Sequence, residues 1–346
     1  MSEKHESPLD EQIARRVSRR GFVAGTAGAL GALTLGGAPA ALASVRRSSN
    51  DKSIAFAQPD TSAGVYPLLL KGAKAGAQKR GYELLESHAN HQLDNQVNEI
   101  NTWIAQKIGG MIVLPLDNNA MLPLIKKAHD NDVKFLDYSD KALPGTDGWV
   151  IFNNLQGAKL VGRDAGRWVN KVLGGNAKVG LLTHEIQQTG RDRIHGAVNA
   201  IKNVAPKVQI VARHEGVLAA ECYTVTQSML QAHPDLNVIF CIADDGCLGA
   251  ERAFLQTKPS KARQGQMYIA GWDGAIQVMQ KIVSGKSVIR STGALDLVGI
   301  GQASVEATAN AIEGQGPTRI NYPYVLVSQT GVGKATGKKL LKKYNG

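Results

Sequence analysis

Cysteine is scarce. Three residues, Cys222, Cys241 and Cys247, serve the whole 346-residue chain. An odd number excludes a fully paired disulfide framework, and no C-x-x-C is present. Buried free thiols are expected, although Cys241 and Cys247 are close enough in sequence to pair in an oxidising compartment. Aromatics are also few, at 5%, which argues against a stacking platform for nucleic acid. Most catalytic signatures are missing. No G-x-G-x-x-G follows a strand beyond residue 43, and there is no G-x-S-x-G elbow and no H-E-x-x-H. Gly331-Val332-Gly333-Lys334-Ala335-Thr336-Gly337-Lys338 imitates a phosphate loop. It lacks the four-residue gap between glycines, and Lys339 stands where Ser or Thr would hold magnesium. No metal, cofactor or catalytic residue is expected.

What is present points to a two-part α/β protein. Roughly 150 residues per domain suggests about two domains, and 43% hydrophobic residues allow each a sizeable core. The net charge is +11. Its lysines and arginines are scattered, and the dense cluster is Lys338, Lys339, Lys342 and Lys343. This tail reads as a solvated helix face, with a docking surface for an acidic partner as the alternative.

Residues 1–43 read as an export signal. Arg19-Arg20 precede a glycine- and alanine-rich apolar run, which ends at Ala41-Leu42-Ala43. Paired arginines before a weakly hydrophobic segment predict the twin-arginine route, with cleavage near Ala43 and residence in the periplasm or outside the cell. The run is too short and glycine-rich for a span of about 20 apolar residues. No other segment could cross a membrane.

Beyond the signal, strands and helices alternate. Strands are expected at Ser53–Gln58, Tyr82–Glu86, Met111–Leu114, Val133–Asp137 and Trp149–Phe152. The pattern restarts with strands at Lys178–Thr183, Val208–Arg213, Asn237–Ile242 and Met267–Gly271. Helices between them include Val65–Arg80, Ala158–Val172, Arg191–Asn203 and Cys247–Leu255, each with apolar residues at helical spacing. Alternation of this kind argues for parallel sheets with right-handed crossovers. The expected fold is two doubly wound lobes whose strand-end loops face one cleft, with hinges between them.

Polar residues collect where strands end: Asp60, then Asp137-Tyr138-Ser139-Asp140, Thr183-His184-Glu185, Asp244-Asp245 and Trp272-Asp273-Gly274. Arg193 opens a helix beyond another strand end. Carboxylates and one guanidinium around a common space suit a polyhydroxylated solute, whose hydroxyls both donate and accept. Tyr66 or Trp272 could cover an apolar C–H face. Each acidic residue has a plainer reading as a helix N-cap, and for Asp244 the two readings are balanced. His184 reads as a cleft hydrogen-bonding group or an ordinary loop residue.

Several stretches resemble the periplasmic sugar-binding proteins of the ribose-binding type. They are Lys71-Gly72-Ala73 with Gly81-Tyr82, Met111-Ile112-Val113-Leu114-Pro115, Arg191-Asp192-Arg193 with Gly196, Ala232-His233-Pro234-Asp235, and Ala270-Gly271-Trp272-Asp273-Gly274. The resemblance runs from about Ser53 to Val327. It implies two lobes joined by three crossover strands near Phe152–Asn154, Ser291–Ala294 and Asn321–Val325. The lobes would be 50–152 with 294–322, and 153–293 with 323–346. It also implies a monomer that captures a small ligand and docks on the membrane permease of an ABC importer, with no enzymatic activity and no nucleic-acid partner. Arg193 and Asp273 match the family's ligand arginine and aspartate. The rest of its ligand set is changed. Pro59, Ala63, Val65 and Tyr66 replace a serine, an asparagine and two aromatics; Ser139-Asp140 replaces an Asp-Arg pair. Ala243 and Gly293 replace an asparagine and a glutamine. These departures point away from ribose, toward another sugar, a polyol, or a cationic or modified solute. The candidate ligand set is Arg193, Asp273, Asp60, Tyr66, Asp140, Ser139, Asp244, His184 and Trp272. The rival readings are a sensor for a membrane receptor and an exported enzyme acting on a sugar-like substrate.

Overall fold

A computed structural model describes residues 52–59, 65–87 and 89–345. The export signal and Asp60 lie outside the described residues. Twelve strands form two six-stranded sheets among the described residues. The first sheet holds β1 (Ser53–Ala57), β2 (Glu83–Glu86), β3 (Gly110–Val113), β4 (Lys134–Ser139), β5 (Gly148–Phe152) and β11 (Arg319–Tyr322). Its order is β11-β5-β4-β3-β1-β2, parallel throughout. The second holds β6 (Lys178–Thr183), β7 (Gln209–Glu215), β8 (Val238–Cys241), β9 (Tyr268–Asp273), β10 (Ile289–Ala294) and β12 (Val325–Ser328), in the order β12-β10-β9-β8-β6-β7. β12 departs from the expected parallel arrangement and runs antiparallel to β10.

The helices are α1 (Tyr66–Arg80), α2 (Leu93–Ala105), α3 (Asn118–His129), α4 (Asn154–Leu173), α5 (Gln188–Val204) and α6 (Ala219–Ala232). They continue with α7 (Asp244–Gln256), α8 (Lys261–Gly265), α9 (Ile276–Ser284), α10 (Leu297–Glu313) and α11 (Gly331–Asn345). Helices α4, α5 and α7 each begin three or four residues earlier than their apolar periodicity suggests. The first turns carry polar residues that face the strand ends, so they show no apolar stripe to read. Among the described residues, no helix is long and apolar enough to cross a membrane.

The strand order reverses between β1 and β3, and again between β6 and β8. A crevice forms at such a switch point, outside the carboxyl ends of the strands. The chain passes between the sheets three times: from β5 to β6, from β10 to β11 and from β11 to β12. These passages are short where they leave the strands, which keeps both sets of strand-end loops close together.

Both sheets are packed on their faces by apolar side chains. Ile54, Phe56, Ile112 and Leu136 line one face of the first sheet, while Met111, Val113 and Phe135 line the other. Val179, Leu181, Phe240 and Ile269 are fully buried in the second. The cysteines belong to this interior as free thiols, so the Cys241–Cys247 disulfide does not form. Burial pushes the Cys222 and Cys247 thiols up, away from the reactive thiolate.

The basic tail is helix α11. Lys338, Lys339 and Lys342 are exposed, as a solvated face requires, while Leu340 and Tyr344 are buried. Lys343 pairs with Asp296. The Tyr344 hydroxyl donates to the Leu295 carbonyl at 2.8 Å and accepts from the Leu297 amide at 3.0 Å. The end of the chain therefore grips the passage that follows β10.

Candidate functional site

Arg193 lies in the second turn of α5, the helix that follows β6. Ile194, Ala197 and Ile201 seat this helix in the core. Gly190 lets its first turn approach the loop after β6. A Cβ there would lie 2.0 Å from the His184 carbonyl oxygen. The close fit turns Arg193 inward.

Every nitrogen of its guanidinium has a partner. Nε donates to Asn154 Oδ1 at 3.0 Å and Nη1 to the Ile242 carbonyl at 2.9 Å. Nη2 donates to Tyr324 Oη at 3.0 Å and reaches Asp273 Oδ1 at 2.9 Å. Burial opposes the Arg193 charge, but Asp273 and Tyr324 outweigh it, and the guanidinium is held above its ordinary range. The Asp273 carboxyl is raised, first by burial, with Arg193 pulling against the shift.

Asp273 closes β9 with φ 118°, a setting that residues with side chains rarely adopt and that tends to occur at functional sites. Asp244, at the start of α7, holds the next loop. Its Oδ2 accepts from the Gly274 amide at 2.9 Å and the Ala275 amide at 2.8 Å. Its own carboxyl is raised well above the ordinary range by burial and then by the charge of Asp273. Asp244 thus positions Asp273. It is nearly fully buried and is not a helix N-cap: Ala243 takes that position at α7, and Asp244 holds the loop after β9 instead.

The other candidates divide. Asp140, beyond β4 of the first sheet, accepts from Thr189 Oγ1 of α5 at 2.8 Å. This bond joins groups carried by the two different sheets. Tyr66 is half-buried at the start of α1, its ring edge-to-face with His91 at 5.9 Å.

Three candidates face elsewhere. Ser139 Oγ stays within its own turn, 3.0 Å from Asp137 Oδ2 and 2.8 Å from the Lys141 carbonyl oxygen. His184 Nδ1 lies 3.2 Å from Glu215 Oε2, at the neighbouring strand end. Trp272 is entirely buried, so it covers no ligand face. Side chains alternate along a strand, and the neighbour of an inward Asp273 points into the sheet packing. There its ring meets Phe240 at 6.4 Å. Gly293 sits opposite it in the ladder, and a Cβ at 293 would come within 2.6 Å of Trp272 Cδ1. The small residue at 293, read above as a lost ligand group, is the room that Trp272 needs.

The candidate set drawn from the sequence omits Asn154, Tyr324, Tyr138, Gln58 and Thr189. Tyr138 on β4 is buried, its ring 5.7 Å from Phe152, which in turn lies 6.1 Å from Tyr324. Gln58 follows β1 and donates to the Tyr66 carbonyl, leaving its own oxygen without a partner. Asn154 and Tyr324 fall inside the expected crossover segments, which was the available signal. A cavity of about 830 Å³ opens beside these crossings, lined by Asp140, Phe152, Asn154, Gln188, Asp192 and Tyr322. Arg193 and Asp273 are not among its walls, so it flanks the pair. Among the described residues, no group of three or more His, Cys, Asp or Glu side chains is placed to hold a metal ion.

Asp137, below this loop, gives a pH test. It is fully buried, with Oδ2 accepting from Leu143 N and Ser139 Oγ, while Oδ1 has no partner. Burial pushes its carboxyl from 3.8 up to about 6, against the pull of those two hydrogen bonds. The folded state therefore binds the proton more tightly than the unfolded state. Its contribution is fully present below pH 4 and is lost as pH rises through 6. Asp137→Asn removes this dependence. The stability of the variant relative to wild type is expected to rise by up to about 3 kcal/mol between pH 4 and 7. Urea unfolding across that range measures it, and a constant difference would contradict the assignment.

Comparison with known proteins adds the following. The periplasmic binding protein domain family matches residues 54–316. The ribose import binding protein of Bacillus subtilis is 24% identical over 250 residues, covering 71% of this chain and 77% of its own length. The galactofuranose-binding protein of Escherichia coli is 24% identical over 275 residues, covering 75% and 78%. Among solved structures, an ABC transporter periplasmic solute-binding protein from Actinobacillus succinogenes with bound D-allose superposes with a TM-score of 0.72 at 21% identity, covering 82% of this chain and 99% of that one. A Bacillus halodurans solute-binding protein with bound myo-inositol gives 0.73 at 17% identity, covering 86% and 100%. At such identities the superpositions speak for the fold.

Proposed function

Since the chain belongs to the periplasmic binding protein family, whose members bind solutes outside the cytoplasm and are not enzymes, we propose that it captures a small polyhydroxylated solute for an ABC-type importer. The observation that carries this reading is the Arg193–Asp273 pair, 2.9 Å apart at the carboxyl ends of the second sheet and facing groups of the first. The pair's charges offset each other, which suits a neutral sugar or polyol better than an ion. Tyr66 and Phe152, both half-buried, offer apolar ring surface for C–H faces, and Asp273 accepts hydroxyl protons. The relatives that import ribose and bind galactofuranose, and the structures holding D-allose and myo-inositol, support the same class.

In this reading, segments 50–152 with 294–322 form one lobe and 153–293 with 323–346 the other. They close by bending at the three passages, and the closed form docks on a permease. Export follows the twin-arginine route, with cleavage near Ala43. Closure requires the solute to bind the closed arrangement better than the open one.

A thermal-shift screen tests the proposal, using D-ribose, D-allose, myo-inositol, L-arabinose, glycerol, amino acids and polyamines. A solute present at 100 times its dissociation constant adds about 2.7 kcal/mol of stability. The expected result is a clear shift with one or more sugars or polyols. A shift confined to amino acids or polyamines would overturn the solute class.

A further inference from the structure

Arg193 is the group that the family resemblance marks for ligand contact, yet it has little left to offer. A guanidinium carries five N–H donors. Four are engaged, by Asn154, Ile242, Tyr324 and Asp273. The Arg193 side chain is 7% exposed against 22% for Asp273, so Asp273 is the member of the pair that faces open space.

Two of these partners also bind each other. Tyr324 Oη donates to Asn154 Oδ1 at 2.8 Å while accepting from Arg193. Asn154 Oδ1 therefore accepts twice, from Arg193 and from Tyr324, and its Nδ2 has no partner. The tyrosine ring is seated against α4 where Gly157 lacks a side chain; a Cβ there would lie 2.7 Å from the ring. Asn154 follows the passage out of β5, and Tyr324 follows the passage out of β11. Two of the three connections between the sheets thus end on the guanidinium that holds Asp273.

We propose that Asn154 and Tyr324 are positioning residues: they fix Arg193 to the crossing segments, so that Arg193 aims the Asp273 carboxylate at the solute. The proposal rests on the solute-binding reading above for its effect on affinity. Its geometric part does not need a solute.

The test uses Tyr324→Phe, which removes a single oxygen, and Asn154→Ser as a second variant, each checked for folding by circular dichroism. Two quantities are measured on the full mature chain. The first is the Asp273 carboxyl titration by carbon-13 NMR. Arg193 pulls that carboxyl down, whereas the nearby Asp245 pushes it up. A loosened Arg193 is therefore expected to let the Asp273 midpoint rise in both variants. The second is affinity for D-allose and for myo-inositol by calorimetry, expected to fall about tenfold or more for whichever wild type binds. An unchanged Asp273 titration in both variants overturns the proposal, as does unchanged affinity where wild type binds. If wild type binds neither probe, the affinity arm bears on the solute reading, and the titration still decides the positioning claim.

Discussion

Asp273→Asn is expected to weaken solute binding by about tenfold to a hundredfold, the loss of one hydrogen bond to a charged group, roughly 1.5–3 kcal/mol. The asparagine keeps the shape and still offers Arg193 an oxygen, but it loses the charge that a solute hydroxyl donates to. Asparagine also tolerates positive φ better than most residues, so the φ of 118° at 273 should survive. Asp273→Ala acts differently. It leaves Arg193, 7% exposed, without its counter-charge. Breaking a buried pair in this way destabilises a fold by about 3–5 kcal/mol, so the alanine variant is expected to lose stability as well as binding. Calorimetric affinity and urea unfolding on both variants separate the two effects. Wild-type affinity in Asp273→Asn would remove Asp273 from the binding role.

Trp272→Ala is expected to destabilise the protein by about 3–5 kcal/mol, the usual cost of truncating a large aromatic in a core. Trp272 has no exposed surface and packs on Phe240 and over Gly293. The cavity left behind is bounded by β-strands on both sides and has little room to collapse. Trp272→Phe should lose less, because most of the packed volume is kept and the indole Nε1 has no hydrogen-bond partner to forfeit. A solute-stacking tryptophan would show the reverse: little change in unfolding and a large loss of affinity in the phenylalanine variant. Gly293→Gln, which places a Cβ 2.6 Å from the indole, is expected to be destabilising for the same packing reason.

These expectations show where sequence and structure part company. Strand and helix alternation was legible because it rests on local periodicity. Apolar residues recur every second or every third to fourth position whatever the rest of the chain does. The carboxyl-end loops were legible too, since polar residues gather there between apolar runs. Trp272 was misread because adjacent strand residues face opposite sides, and only the packed sheet shows which side is the core. Ser139 and His184 bond within their surrounding loops, to Lys141 and Glu215, and for His184 the sequence had offered a loop role as one of two readings.

The sequence alone determined the α/β class and the repeated wound pattern, while the three crossing segments and the choice of Arg193 and Asp273 came through the family resemblance. Tertiary structure alone decided how the pair is held. Arg193 meets Asn154 and Tyr324, 39 and 131 positions away, and Asp244 meets amides 30 and 31 positions away. Hydrogen bonds act over about 3 Å of space, and no local pattern in a chain records which distant residues folding will bring within that reach.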